Sequence, residues 1–452
     1  MITFFSRKRT SSLALAIAMA TGAAVATTAV MPTEASAQRK KKKDESDGGG
    51  YSKEFIAVYQ PLNELMGTEG SDLASQRAQF DALAGLLNTP DEKIAGGGLM
   101  FNSGVRLQDP ALQLKGMEAM LASGMVEAAN TGRYNFIAYQ LADRQNMVAK
   151  ARTYLQAAID NNFTAENINP ASLRIAMMES YFGNSEFDAG IKYLNDAIAE
   201  QKAAGQTVDE AWYRRGISVA YENELTPAVY EIAAMWLSDF PSETNWRDSI
   251  NIARNLNNFT PAEMLDLFRL SRQTGALNTA SDYDFYIEVA DARRLPSEVK
   301  SVIEEGKAAG ILVDSNLYMV EQLGVANGRI ASDRADLPAL EADASAANAG
   351  LRTVVAAGDA FLSYGEYDKA VKFYERAVAM PGVELGEELN RLAIAQIGAG
   401  DYAAARESLS RITGTRKPLA MLWTAYANQL EAEAGATPDV MPSDAPATAT
   451  TM

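Results

Sequence analysis

The sequence predicts an all-α protein, and more narrowly an α-solenoid of stacked helix-turn-helix hairpins. Between Tyr51 and Gly435 apolar residues recur at spacings of three and four, as in Met147, Val148, Ala151, Tyr154, Leu155, Ala158 and Ile159. The breaks between these stripes carry Gly, Asn, Asp or Pro, which is how amphipathic helices begin and end. Strand-like alternation is scarce. Landmarks also return at a nearly fixed interval. Trp212 and Trp246 lie 34 residues apart, and Leu225-Thr226-Pro227-Ala228 returns at the same offset as Phe259-Thr260-Pro261-Ala262. Leu295-Pro296-Ser297-Glu298 follows 36 residues on, and Gly365-Glu366-Tyr367 comes back after 35 as Gly400-Asp401-Tyr402. A helix pair cannot bury its apolar face alone, so a period of this length is the mark of hairpins that bury it on their neighbours.

Taken in order, residues 1–37 predict a secretory signal peptide. Arg7, Lys8 and Arg9 precede the Ala- and Thr-dominated apolar run Leu13–Val30, and Ala35-Ser36-Ala37 supplies small residues for cleavage. The expected compartment is the periplasm; secretion, or anchoring by an uncleaved apolar run, is the alternative. Residues 38–50 form a basic and then acidic arm, with Arg39, Lys40, Lys41, Lys42 and Lys43 in one run. A solvated spacer is the plain expectation. The functional one is contact with anionic envelope polymer or lipid, worth about 1 kcal/mol per basic residue near a charged surface. Residues 51–130 are helical but irregular, and 131–325 carry the solenoid. The Ala-rich 326–350 interrupts the period and is expected to be a joint. Residues 351–435 hold two further hairpins and a capping helix around Leu419–Tyr426, and 436–452 is an Ala-, Pro- and Thr-rich tail expected to be disordered.

Over much of this length the chain resembles the tetratricopeptide repeat family, whose pattern is Trp, Leu-Gly, Tyr, Ala, an aromatic and Pro. Residues 351–384 carry the resemblance best, through Gly358, Phe361, Gly365, Tyr367, Ala370, Tyr374, Ala377 and Pro381, with Val354 in the Trp position. Residues 386–412 continue it with Gly400, Tyr402, Ala405 and Leu409. Residues 212–241 supply Trp212, Gly216, Ala228, Ile232 and Pro241, with Arg215 where the family has Leu. The resemblance implies a right-handed superhelix in which the first helix of each hairpin lines a concave, partner-binding groove. It also implies that Gly216, Gly358, Ala228, Ala370 and Ala377 stand where helices approach closely.

Composition narrows the chemistry. Of 452 residues none is Cys or His, so thiolate and imidazole catalysis, disulfides and the usual zinc sites are excluded. A net charge of -17 argues against a general nucleic-acid binder. No phosphate loop, dinucleotide fingerprint or calcium loop is present, and neither a cofactor nor a metal is expected. Ser297-x-x-Lys300 matches one motif of penicillin-recognising enzymes, but its companion motifs are missing; at a helix start Ser297 and Glu298 are expected to cap. The pairs Glu304-Glu305 and Glu387-Glu388 are expected to be solvated charge rather than catalytic carboxylates. No catalytic residue is assigned.

The candidate site is a groove. On the Trp246 helix Arg247, Asn251, Arg254 and Asn255 recur at three and four, and Tyr213 and Tyr221 are offered toward the same groove from the preceding helix, either to stack on a peptide or sugar ring or, the plainer reading, to pack between hairpins. Arg offers forked donors to carboxylates, and Asn can hold a peptide backbone through both donor and acceptor. Half of a carboxylate clamp would look like this, although Asp282 and Asp284 stand where the next helix of such a clamp carries amides or cations. The expectation is a non-enzymatic scaffold or adaptor for a protein or peptide in the cell envelope. A carbohydrate-active α-solenoid or toroid enzyme, or an assembly factor that binds anionic polymer, is the alternative.

Overall fold

A computed structural model describes residues 50–436; the signal segment, Arg39–Lys43 and the terminal tail lie outside the described residues. Twenty α-helices fill the described part: α1 Lys53–Gly67, α2 Arg77–Ala84, α3 Pro90–Arg106, α4 Pro110–Ala122, α5 Ala128–Arg144, α6 Val148–Asp160, α7 Pro170–Gly183, α8 Phe187–Ala203, α9 Glu210–Glu222, α10 Ala228–Asp239, α11 Glu243–Leu256, α12 Pro261–Gln273, α13 Ala280–Ala290, α14 Pro296–Ala308, α15 Leu317–Ser345, α16 Leu351–Ser363, α17 Tyr367–Val378, α18 Leu385–Gly398, α19 Tyr402–Ser410 and α20 Lys417–Ala436. Within α1–α8 and within α9–α20 neighbours in sequence pack against each other, and among the described residues the extended pairing is confined to one isolated bridge between Ala165 and Ile168. The chain is an all-α solenoid.

The hairpin turns show the repeat most plainly. Gln108, Asn146, Ser185, Gly365 and Gly400 all sit at positive φ, between 53° and 82°, two residues before a helix begins. In each case the following N–H reaches back five residues: Asp109 to Gly104, Met147 to Ala142, Glu186 to Tyr181, Glu366 to Phe361 and Asp401 to Gln396. This is the Schellman closure of a helix C-terminus, which satisfies orphan carbonyls and turns the chain back at once. Glycine is strain-free there, and at 365 and 400 the sequence provides it. The close approach expected at Gly358 is present, since a Cβ there would stand 2.7 Å from the Tyr374 ring.

Two compact units divide between Thr207 and Val208, the first holding α1–α8 and the second α9–α20. In the first unit α3 and α4 lie nearly backbone to backbone. A Cβ on Gly97 would come 2.7 Å from the Gly116 carbonyl oxygen, so the irregular glycines of this stretch are what lets the pair close. In the second unit the expected joint at 326–350 is largely helix, because its first twenty residues complete α15. Alanine is the strongest helix former, and a run of it lengthens a helix sooner than it breaks one.

The second unit also departs from a simple solenoid, in which each hairpin touches only its neighbours. Helix α20 packs on α19 as a cap would, and it also packs on α10, α11 and α12. Trp246 meets Tyr426 edge to face at 5.9 Å, and its indole N–H donates to Gln429, 183 residues away, at 2.9 Å. Helix α12 meets α18 in the same way. The late hairpins therefore fold back on the early ones.

Candidate functional site

The groove residues can be placed by which side of each helix is buried. Helix α11 buries Asn245, Trp246, Ser249, Ile250, Ile252 and Ala253. At 100° per residue this leaves Arg247, Asn251 and Asn255 on the opposite side, with Arg254 at its edge. Helix α9 buries Trp212, Tyr213, Gly216, Ile217, Val219 and Ala220, leaving Tyr221 toward the outward side.

Tyr213 is a correction. It is fully buried, its ring stands edge-on to Phe240, and its hydroxyl donates to Asp239. Burial, and then that bond to a carboxylate, pushes its pKa up. The apolar arc of α9 is wide enough to take Trp212 and Tyr213 side by side, and adjacent aromatics do not reveal this in sequence.

The outward residues are knitted across successive first helices. Asn255 donates to the Tyr221 hydroxyl at 3.3 Å, joining α11 to α9. Arg254 donates to Asp282 at 2.8 Å, joining α11 to α13, while its guanidinium lies 5.4 Å from the Phe268 ring centre. Asn316, the N-cap of α15, donates to Asp284 at 2.8 Å and joins α15 to α13. The two aspartates that spoil a carboxylate clamp thus have a different task. They hold the first helices in register, and Asp282 neutralises Arg254. Arg247 bonds the neighbouring Thr244 at 3.2 Å rather than a carboxylate, so it is the cation this row offers outward.

A second constellation went unseen in sequence. Asp266 of α12, buried, accepts from Arg269 at 3.2 Å and from Arg416 at 3.1 Å. Arg269 grips Glu298 with two bonds of 2.8 Å, and Tyr286 donates to the same carboxylate at 2.8 Å. Arg416 also pairs with Glu387 at 3.2 Å. Arg391 pairs with Glu387 at 2.6 Å and with Asp359 at 3.2 Å, and Asp359 accepts from Tyr374 at 2.8 Å. Thr415 donates to Glu263 at 2.9 Å. Burial works to raise the Glu298 carboxyl, but the charge and bonds of Arg269 prevail and hold it below the usual range.

This network corrects two expectations. Glu298 does not cap: Leu295 is the N-cap of α14 without a side-chain cap bond, and Glu298 is turned inward to Arg269. Glu387 and Glu388 are not solvated charge either. Glu387 sits in the network, and Glu388 is buried with one carboxylate oxygen lacking a hydrogen-bond partner. Burial is the main cause that pushes Glu388 up to about 7; Arg391 opposes it, and Asp359, Glu387 and Asp266 add to it. The signal that could have exposed the network is charge on buried helical stripes, legible only once the far hairpins are known to meet.

No family model and no curated protein matches this chain.

Among the described residues no group of three or more carboxylates is arranged to hold a metal ion, and no helix is long and apolar enough to cross a membrane. One more feature lies beside the outward row. Phe285 on α13, Val313, and Leu317, Tyr318 and Val320 on α15 are exposed large apolar side chains, with Leu317 at 79%. Sequence periodicity does not separate them from core residues of the same type.

Proposed function

We propose that the chain is an exported, non-enzymatic helical-repeat protein of the tetratricopeptide type. It holds a protein or peptide partner in the periplasm against the outward face of its first helices. One observation carries this reading: Tyr221–Asn255, Arg254–Asp282 and Asp284–Asn316 tie four successive first helices into one face. A face held in register by such bonds is preorganised, so binding an extended chain costs little further ordering. Asn251 and Arg247 stand on it as a backbone-binding amide and a donor for carboxylates. Export rests on the tripartite leader in residues 1–37.

The test is in-cell cross-linking of the tagged full-length chain, beside an Arg247→Glu/Asn251→Ala variant. Arg254 is left intact because it pairs with Asp282. The same envelope proteins should be captured by wild type in every repeat and lost in the variant, with the mature N-terminus at Gln38. Equal capture by both chains would refute the assignment of this face.

A further inference from the structure

The exposed apolar residues of α13 and α15 lie on the outward sides of two helices joined through Asn316 and Asp284, with several carboxylates around them. Helix α13 buries Tyr283, Tyr286, Ile287 and Ala290, which leaves Phe285 and Glu288 on the opposite side. Helix α15 buries Met319 and Ala326 near its start, so Leu317 and Glu321 point away from the core and Tyr318 and Val320 flank them. The bond from Asn316 to Asp284 fixes the two helices side by side at this point. Phe285 is 47% exposed, Val313 56% and Leu317 79%, and none of them contributes to the core. Exposed apolar clusters of this kind mark interaction sites.

The rim is acidic. Asp284, Glu288, Asp291 and Glu321 all lie close enough to Tyr318 to act on its hydroxyl. Of the nearby cations, Lys307 pairs with Asp314, while Arg293 and Arg294 follow Asp291 in the chain and Arg294 reaches the Val289 carbonyl. Among the described residues Glu288 and Glu321 stand without an ion-pair partner. Apolar side chains beside the unpaired Glu288 and Glu321 select for a cationic apolar surface and repel an acidic one.

We infer that this patch docks a cationic amphipathic segment of another protein, its large apolar side chains seated on Phe285, Leu317 and Val320 and its Lys or Arg against Glu288 and Glu321. The inference rests on the reading of the chain as a polypeptide binder and names the partner chemistry for one end of that face. Its strength should be salt-sensitive, because the rim charges are exposed.

The experiment uses the mature full chain and three labelled synthetic helical peptides, one of Leu and Lys, one of Leu and Glu, and one of Ser and Lys, read by fluorescence anisotropy. The Leu/Lys peptide should bind at least about tenfold more tightly than either control. Phe285→Ser/Leu317→Ser and Glu288→Lys/Glu321→Lys should each weaken it by about tenfold or more, with melting unchanged because all four side chains are exposed. Raising salt from about 0.05 to about 0.5 M should weaken it further. Equal binding of the Leu/Lys and Ser/Lys peptides would overturn the inference, since net charge alone would then suffice. So would a concentration-dependent dimer in sedimentation that the Phe285→Ser/Leu317→Ser variant dissolves, which would make the occupant a second copy. Tighter peptide binding after deletion of residues 38–49 would overturn it in favour of the chain's own basic arm. If the peptide fails while Arg247→Glu/Asn251→Ala still abolishes cross-linked capture, this inference falls and the broader function stands.

Discussion

Replacing Glu388 by Gln should stabilise the second unit at pH 8 and leave it almost unchanged at pH 4. Glu388 is 4% exposed on α18, and its Oε2 has no hydrogen-bond partner. Its carboxyl titrates at about 7 in the folded protein, against an ordinary value of ~4.3 in the unfolded chain. The folded state thus holds this proton more tightly. Between those two values it binds more protons than the unfolded state, so stability falls as pH rises through the window and is undiminished below it. At about 1.4 kcal/mol per pH unit the full penalty is about 4 kcal/mol, approached above pH 7. Gln keeps the shape and removes the charge, so most of that penalty should disappear in the variant at pH 8. All four tryptophans, Trp212, Trp236, Trp246 and Trp423, lie in the second unit, so urea unfolding followed by tryptophan fluorescence reads that unit alone. Wild type and variant should coincide at pH 4 and separate by about 2–3 kcal/mol at pH 8. Coincident curves at pH 8, or a less stable variant there, would show that Glu388 is not held as a buried acid and would refute the reasoning.

Other perturbations follow from the same geometry. Arg391→Met should destabilise the second unit by about 3–5 kcal/mol, because it leaves Asp359 without its guanidinium and Glu387 with Arg416 alone; the same fluorescence assay measures it. Gly97→Ala should lower the stability of the first unit. The backbone contact at 2.7 Å costs about 1–3 kcal/mol against a helix-propensity gain of ~1 kcal/mol, and circular dichroism should show an early transition that tryptophan fluorescence does not follow. Arg254→Glu should cost about 1 kcal/mol by setting two carboxylates together at Asp282, whereas Arg247→Glu should melt like wild type.

What the sequence disclosed was whatever is local. The turns at Gly365 and Gly400 and the stripe on α11 each lie within a few residues, and each is where periodicity and turn chemistry put it. Arg247, Asn251 and Asn255 face outward for the same reason. The spacing could not disclose how the second unit closes. Asp266 and Arg416 are 150 residues apart, which hides the burial of Glu388 where α12 meets α18, while Glu298 reads as a cap because its partner Arg269 lies one hairpin back. Alanine density likewise serves equally for a flexible joint and for a long helix, and 326–345 is the latter.

The return of α20 onto α10, α11 and α12 has a consequence for how the chain is made. Val229, Tyr230, Ile232 and Trp236 emerge nearly two hundred residues before the helix that packs on α10. A nearest-neighbour solenoid could set each hairpin as it leaves the ribosome or translocon, but closure of this unit waits for residues 417–436. Long-range closure of this kind slows folding and prolongs the exposure of unpaired apolar surface. A pulse-labelled chain should therefore stay protease-sensitive throughout residues 208–416 until α20 has been released, and then become resistant in one step.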